Sequence, residues 1–126
     1  MTKNDCAIRA LAAVTETPYA DVVARLAQDG YRPGRGFHLD RWLTCQMAPA
    51  IGEPEKVFGW DATWIKLPPV QKGQRRPTLA TFAALHSGRY ILRQSRHVVA
   101  LVDGRAAMEE RYDHAPIYGA WKFTRT

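Results

Sequence analysis

At 126 residues, with 46% hydrophobic and 24% charged side chains, the chain has the make-up of one soluble globular domain with a single core. No apolar run approaches the roughly 18 residues of a membrane span. The first residues lack the apolar stretch of a secretory signal, and two cysteines are too few for a disulfide framework, so a reduced, cytosolic setting is expected. The net charge of +6 favours anionic contacts without specifying one.

The first predicted element is a helix opening at Asn4-Asp5-Cys6. Asn4 or Asp5 suits the cap, because a short side-chain oxygen can accept from the free amides one turn on. Ile8, Leu11, Ala12 and Thr15 recur at helical spacing, so one face is built for burial, and the alanines add propensity without bulk. Cys6 falls in the first turn, where free N–H groups and the positive end of the dipole converge. That setting favours a reactive thiolate, most of all beside a histidine. A free cysteine also serves commonly as a small buried apolar residue, and the helix by itself leaves both readings open.

Thr17 and Pro18 supply an N-cap and a first-turn proline for a second helix, about Tyr19–Gln28, with Val22, Val23, Leu26 and Ala27 inward. Asp29-Gly30 stops it, and a loop rich in glycine, proline and arginine follows to Gly36. A third helix, about Leu39–Met47, turns Trp42, Leu43 and Cys45 inward, which makes Cys45 a packing residue. From Pro49 to Arg76 the pattern is irregular. Val57-Phe58 and Ala62–Leu67 are short strand candidates flanked by Trp60 and Trp64. Pro68-Pro69 breaks the chain. Gln71–Arg76 is then expected to be a flexible, solvated basic loop whose Lys72, Arg75 and Arg76 have no fixed partner. It lacks the interleaved aromatics that nucleic-acid binding uses, so nucleic acid is not the expected partner.

Pro77-Thr78 caps a short helix, about Leu79–Leu85, ending at His86-Ser87-Gly88. Strands follow at Arg89–Gln94 and His97–Val102, an Asp103-Gly104 pair signals a two-residue hairpin, and a last strand covers about Ile117–Phe123. Helices first and an antiparallel sheet second make the class α+β. There is no internal repeat.

A thiol nucleophile needs a base within hydrogen-bond reach and a group to orient that base. Four histidines are available: His38 at a helix start, His86 at a helix end, His114 in a loop, and His97 at the head of a buried strand, where a sheet would hold it. Asn4-Asp5-Cys6, with Arg9-Ala10-Leu11-Ala12 and Thr17-Pro18-Tyr19, resembles the opening of small papain-like cysteine-peptidase-fold proteins. Many of these are encoded by tailed phages and prophages, and they are distantly similar to bacteriocin-leader-processing peptidases. Thr78-Leu79, Gly88–Arg93 and Ser95–Gly104 resemble the family's histidine hairpin, and Tyr118-Gly119-Ala120-Trp121 its closing strand. The resemblance covers about half of the chain, at both ends and in order.

That resemblance implies a papain-like fold, with Cys6 as nucleophile at the top of a central helix and His97 as general base on the sheet packed against it. It implies a peptide or protein substrate, no cofactor, no metal and no membrane, in a bacterial cytoplasm or a virion. The processing peptidases carry a glutamine a few residues before the cysteine for the oxyanion; here there is none, and Asn4, the only nearby amide, is expected first as the helix cap, a role that competes with the oxyanion. Relatives commonly carry an aspartate at the position of Met108, which cannot orient an imidazole. A two-residue turn at Asp103-Gly104 pairs Val102 with Arg105, so His97 would face Glu110 across the hairpin. Glu110 is the expected stand-in for the acid, with Asp113 more remote. Against a cysteine hydrolase stands a second expectation, a protein that keeps the fold without turnover, as a virion component or a binder of a host protein. A basic nucleic-acid surface is a third.

Overall fold

The computed structural model describes residues 5–32, 37–47, 57–65, 67, 70–94, 97–106 and 116–125. In chain order these form α1 (Cys6–Thr15), α2 (Tyr19–Ala27), α3 (Leu39–Met47), β1 (Trp60–Ile65), α4 (Leu79–Leu85), β2 (Arg89–Gln94), β3 (His97–Val102), β4 (Arg105–Ala106) and β5 (Gly119–Arg125). The strands make one antiparallel sheet in the order β1-β5-β2-β3-β4. Three helices lead, and α4 falls between β1 and the remaining strands of the antiparallel sheet; the class is the expected α+β.

Strand alternation divides the core into two layers. Trp60, Ala62, Ile91, Ala100, Trp121 and Phe123 share a cluster with Ala7, Ile8, Leu11 and Val14 of α1, Leu26 of α2 and Leu43 of α3. The intervening residues Tyr90, Leu92, Val99, Leu101 and Ala120 pack with Leu79 and Phe82 of α4 and with Ile117. One face of the sheet therefore carries α1, α2 and α3, and the other carries α4. Small residues let α1 approach closely: Ala7 and Ala10 lie in the same buried cluster as Ala100, and α1 lies chiefly on β3.

Both ends of α1 are tied down by side chains. At its C-terminus Arg89 donates to the carbonyls of Val14 at 3.2 Å and Ala13 at 3.4 Å and pairs with Glu16, while Trp60 Nε1 donates to the Thr15 carbonyl at 3.0 Å. A cation at this end also complements the helix dipole. At its N-terminus Asp5 occupies the cap position, but its side chain makes no capping bond. Instead the Tyr19 hydroxyl of α2 donates to Asp5 Oδ2 at 2.8 Å, and Arg9 forms an ion pair with Oδ1 at 2.9 Å. The expected Asp5 cap is thus replaced by a tether between α1 and α2; Asn4 lies outside the described residues.

Elsewhere the expected elements are displaced by small, explicable steps. Pro18, not Thr17, holds the cap position of α2, accepting from the amides of Asp21 and Val22. Thr78 caps α4 as expected, its side chain accepting from the Thr81 amide at 3.2 Å. Val57 belongs to a tight turn, exchanging two backbone bonds with Trp60 across Phe58 and Gly59, both at positive φ. The last strand starts at Gly119 because Ile117 gives its N–H to the Pro77 carbonyl, although Ile117 is fully buried and so reads as a strand residue. Asp103 and Gly104, at φ 50° and 83°, make the two-residue turn, and Val102 pairs with Arg105 as that turn requires.

The basic loop differs from its expectation at one point. Lys72-Gly73 forms a turn closed by the Gln74 amide on the Gln71 carbonyl, and its side chains are exposed. Arg76, however, lies over the Tyr118 ring at 4.7 Å. The aromatic partner comes from far along the chain.

Candidate functional site

The contacts of Arg89 fix how α1 lies on the sheet. Arg89 pairs with Val102 at the end of β3, and its guanidinium reaches the carbonyls at the end of α1. Helix and strand therefore run side by side in the same direction. Their lengths agree, about 14 Å for ten helical residues and about 17 Å for six in a strand. Cys6 and His97, the first residues of each, come to the same end of the sheet.

Cys6 is half-buried. The Tyr19–Asp5–Arg9 contacts fix the residue before it, and the Asp5 carboxylate is turned away from the first-turn amides. The helix N-terminus at Cys6 thus keeps backbone donors that an aligned Asp5 cap would have occupied.

His97 is half-buried and pairs in register with Gln94 across the β2–β3 hairpin. Gln94 is buried, at 3% exposure. Alternation puts His97 in the row of Val99 and Leu101, and Gln94 in the row of Tyr90 and Leu92, which is the α4 face. Cys6 heads the helix on the opposite face. The sheet brings the two residues to one end but assigns them to different faces at its rim. Gln94 was not singled out from sequence. The signal that could have found it is the two-residue spacing Ser95-Arg96, which in a hairpin pairs 94 with 97.

Glu110, Met108, Asp113 and His114 lie outside the described residues. Among the other histidines, His86 closes α4, its ring stacked on Phe82 at 3.9 Å with Nδ1 3.1 Å from the Phe82 carbonyl. His38 is exposed at the start of α3.

Cys45 corrects the sequence reading. Among the described side chains of α3, Leu39, Trp42 and Leu43 are buried, and Cys45 is exposed. One turn beyond Trp42, it falls past the rim of that buried arc by helical spacing; Trp42 itself donates its indole N–H to Asp29 Oδ2 at 2.7 Å. Packing does not account for Cys45.

Among the described residues no helix is long and apolar enough to cross a membrane. No protein-family model, no curated protein and no solved structure matches the chain.

Proposed function

We propose that this chain is a papain-like cysteine hydrolase of the peptidase or amidase class, with Cys6 as nucleophile and His97 as base. The observation that supports it is the parallel run of α1 and β3, with a half-buried thiol in a first helical turn that the Asp5 side chain does not cap, at the end where His97 begins its strand. In this reading the Cys6 thiolate adds to a carbonyl carbon, and the first-turn amides stabilise the oxyanion. Collapse expels the amine, which takes its proton from the His97 imidazolium, and water then releases the acyl group from sulfur. Glu110 is assigned as the acid that orients His97. The substrate is a peptide or protein amide.

A specific observation favours a second reading, a papain-like protein that binds a partner without turnover. For catalysis the His97 ring must pass around the head of β3, because its row belongs to the α4 face. If it does not, the helix and sheet remain a framework without a working pair.

One experiment separates the two: alkylation of the folded protein by iodoacetamide near neutral pH, read separately at the Cys6 and Cys45 peptides by mass spectrometry. For a working pair, His97→Ala slows Cys6 by about tenfold or more, the factor that one unit of thiol ionisation represents, and leaves Cys45 unchanged. Glu110→Gln should then slow Cys6 as well. Equal Cys6 rates in wild type and His97→Ala would discard the hydrolase in favour of the binding protein. In that case recovery of Cys6 reactivity in Met108→Asp would mark the site as one that lost its acid.

A further inference from the structure

A groove of about 480 Å³ opens between the end of α2 and one face of α3, away from the residues assigned to hydrolysis. Asp29 lines it from the turn after α2, and Phe37, His38, Arg41, Trp42 and Cys45 from α3 and the two residues before it. Positions 38, 41, 42 and 45 follow the spacing of a single helical face. This is the surface on which Cys45 lies exposed without a packing role.

Among the described residues the charges in the groove do not cancel. Asp29 accepts from Trp42 Nε1 and from Arg25, and these two hold its carboxyl below the ordinary 3.8 despite an opposing contribution from burial. Arg25 also lies over the Trp42 ring at 5.6 Å. Among the described residues Asp29 is the acidic group of the lining, and it is matched within the fold. Arg41 is exposed and, among the described residues, has no ion-pair partner. Exposed His38 sits one turn before it. The apolar lining is aromatic: Phe37 is half-buried and meets Trp42 edge-on at 6.4 Å and Tyr31 at 6.1 Å.

An uncompensated guanidinium beside a pair of aromatic rings complements an anion that carries a flat apolar body. The volume is within the range of small-molecule sites, and a chain of net charge +6 attracts anions in general. We propose that this groove binds a small organic anion, its acidic group against Arg41 and His38 and its ring against half-buried Phe37, beside the largely buried Trp42. The site is independent of the Cys6 and His97 reading.

Cys45 is a reporter built into the groove. In the folded full-length protein at low ionic strength, its alkylation by anionic iodoacetate is compared with that by neutral iodoacetamide. Arg41 and Cys45 are four residues apart on a helix, which puts their Cβ atoms about 6 Å apart, and one unit charge within a distance of that order in water concentrates an anion about threefold. The iodoacetate-to-iodoacetamide ratio at Cys45 should exceed that of the urea-unfolded chain by about this factor, and Arg41→Gln should remove the excess. Naphthalene-1-acetate should slow iodoacetamide at Cys45 saturably, less so in Arg41→Gln and in Phe37→Ala, whereas acetate at the same concentrations should not. A ratio indifferent to Arg41→Gln, absence of saturable protection, or equal protection by acetate would each overturn the proposal.

Discussion

Gly119→Ala is the perturbation whose cost can be worked most directly. Gly119 is buried at the head of β5, on the face that carries Trp121 and Phe123. A Cβ there would lie 2.2 Å from Trp64 Cη2, with Cζ3 and Cζ2 at 3.0 and 3.1 Å. The obstacle is the indole and not the backbone, because Gly119 is not among the glycines at positive φ. Trp64 is 42% exposed, so its ring can swing outward. In doing so it uncovers roughly 70 Å² of apolar surface, about 1.8 kcal/mol at 25 cal/mol/Å². It also leaves its edge-on contact with Trp121, at 5.3 Å between centroids, which contributes about 1 kcal/mol. Replacing glycine by alanine in a strand returns about 0.5–1 kcal/mol. The expected net loss is about 2 kcal/mol, measured by urea unfolding. In a Trp64→Ala background the clash is gone, and Gly119→Ala should be neutral or stabilising, so the double-mutant cycle should show a coupling of about 2 kcal/mol or more. Equal costs in the two backgrounds would refute the reasoning.

Two further predictions concern charge. The Asp29 carboxyl is held below 3.8, first by the Trp42 indole and then, against the effect of burial, by Arg25. A carboxyl with a depressed folded-state pKa stabilises the fold above the unfolded value and loses that stabilisation as pH falls through the folded value. Wild type should therefore lose stability relative to Asp29→Asn as pH drops below about 4, and carbon NMR of the Asp29 carboxyl should show its midpoint rising in Trp42→Phe. Arg89→Met removes the donors to the carbonyls of Ala13 and Val14, the Glu16 pair and the guanidinium 5.1 Å over Trp60. It should cost about 1–2 kcal/mol, with amide exchange accelerated first in the last turn of α1.

Much of the fold was legible in the chain because the signals are local. The helical spacing of Ile8, Leu11 and Ala12, the Thr78 cap and the Asp103-Gly104 turn each depend on neighbours within a few residues, so α1, α4 and the Val102–Arg105 pairing lie where sequence puts them. Element boundaries were less legible where a distant group takes over a backbone bond. Ile117 is drawn out of β5 by Pro77, and Asp5 leaves the first-turn amides for Tyr19 and Arg9.

Questions of facing and partnership were decided only by the tertiary structure. Sequence alone assigns His97, Val99 and Leu101 to one side of a strand, but not which side α1 covers. That choice depends on α1 packing against Ala100 and its row, with α4 filling the other layer. Cys45 lies on a helix whose spacing allows it to be inside, yet it is exposed, past the rim of the arc that Leu39, Trp42 and Leu43 bury. Arg76 finds its aromatic partner 42 residues along the chain, at Tyr118, where no local pattern could show it. Periodicity fixes which residues share a face, whereas the partner of each face is set by the closest packing of the whole chain, a property of no single segment.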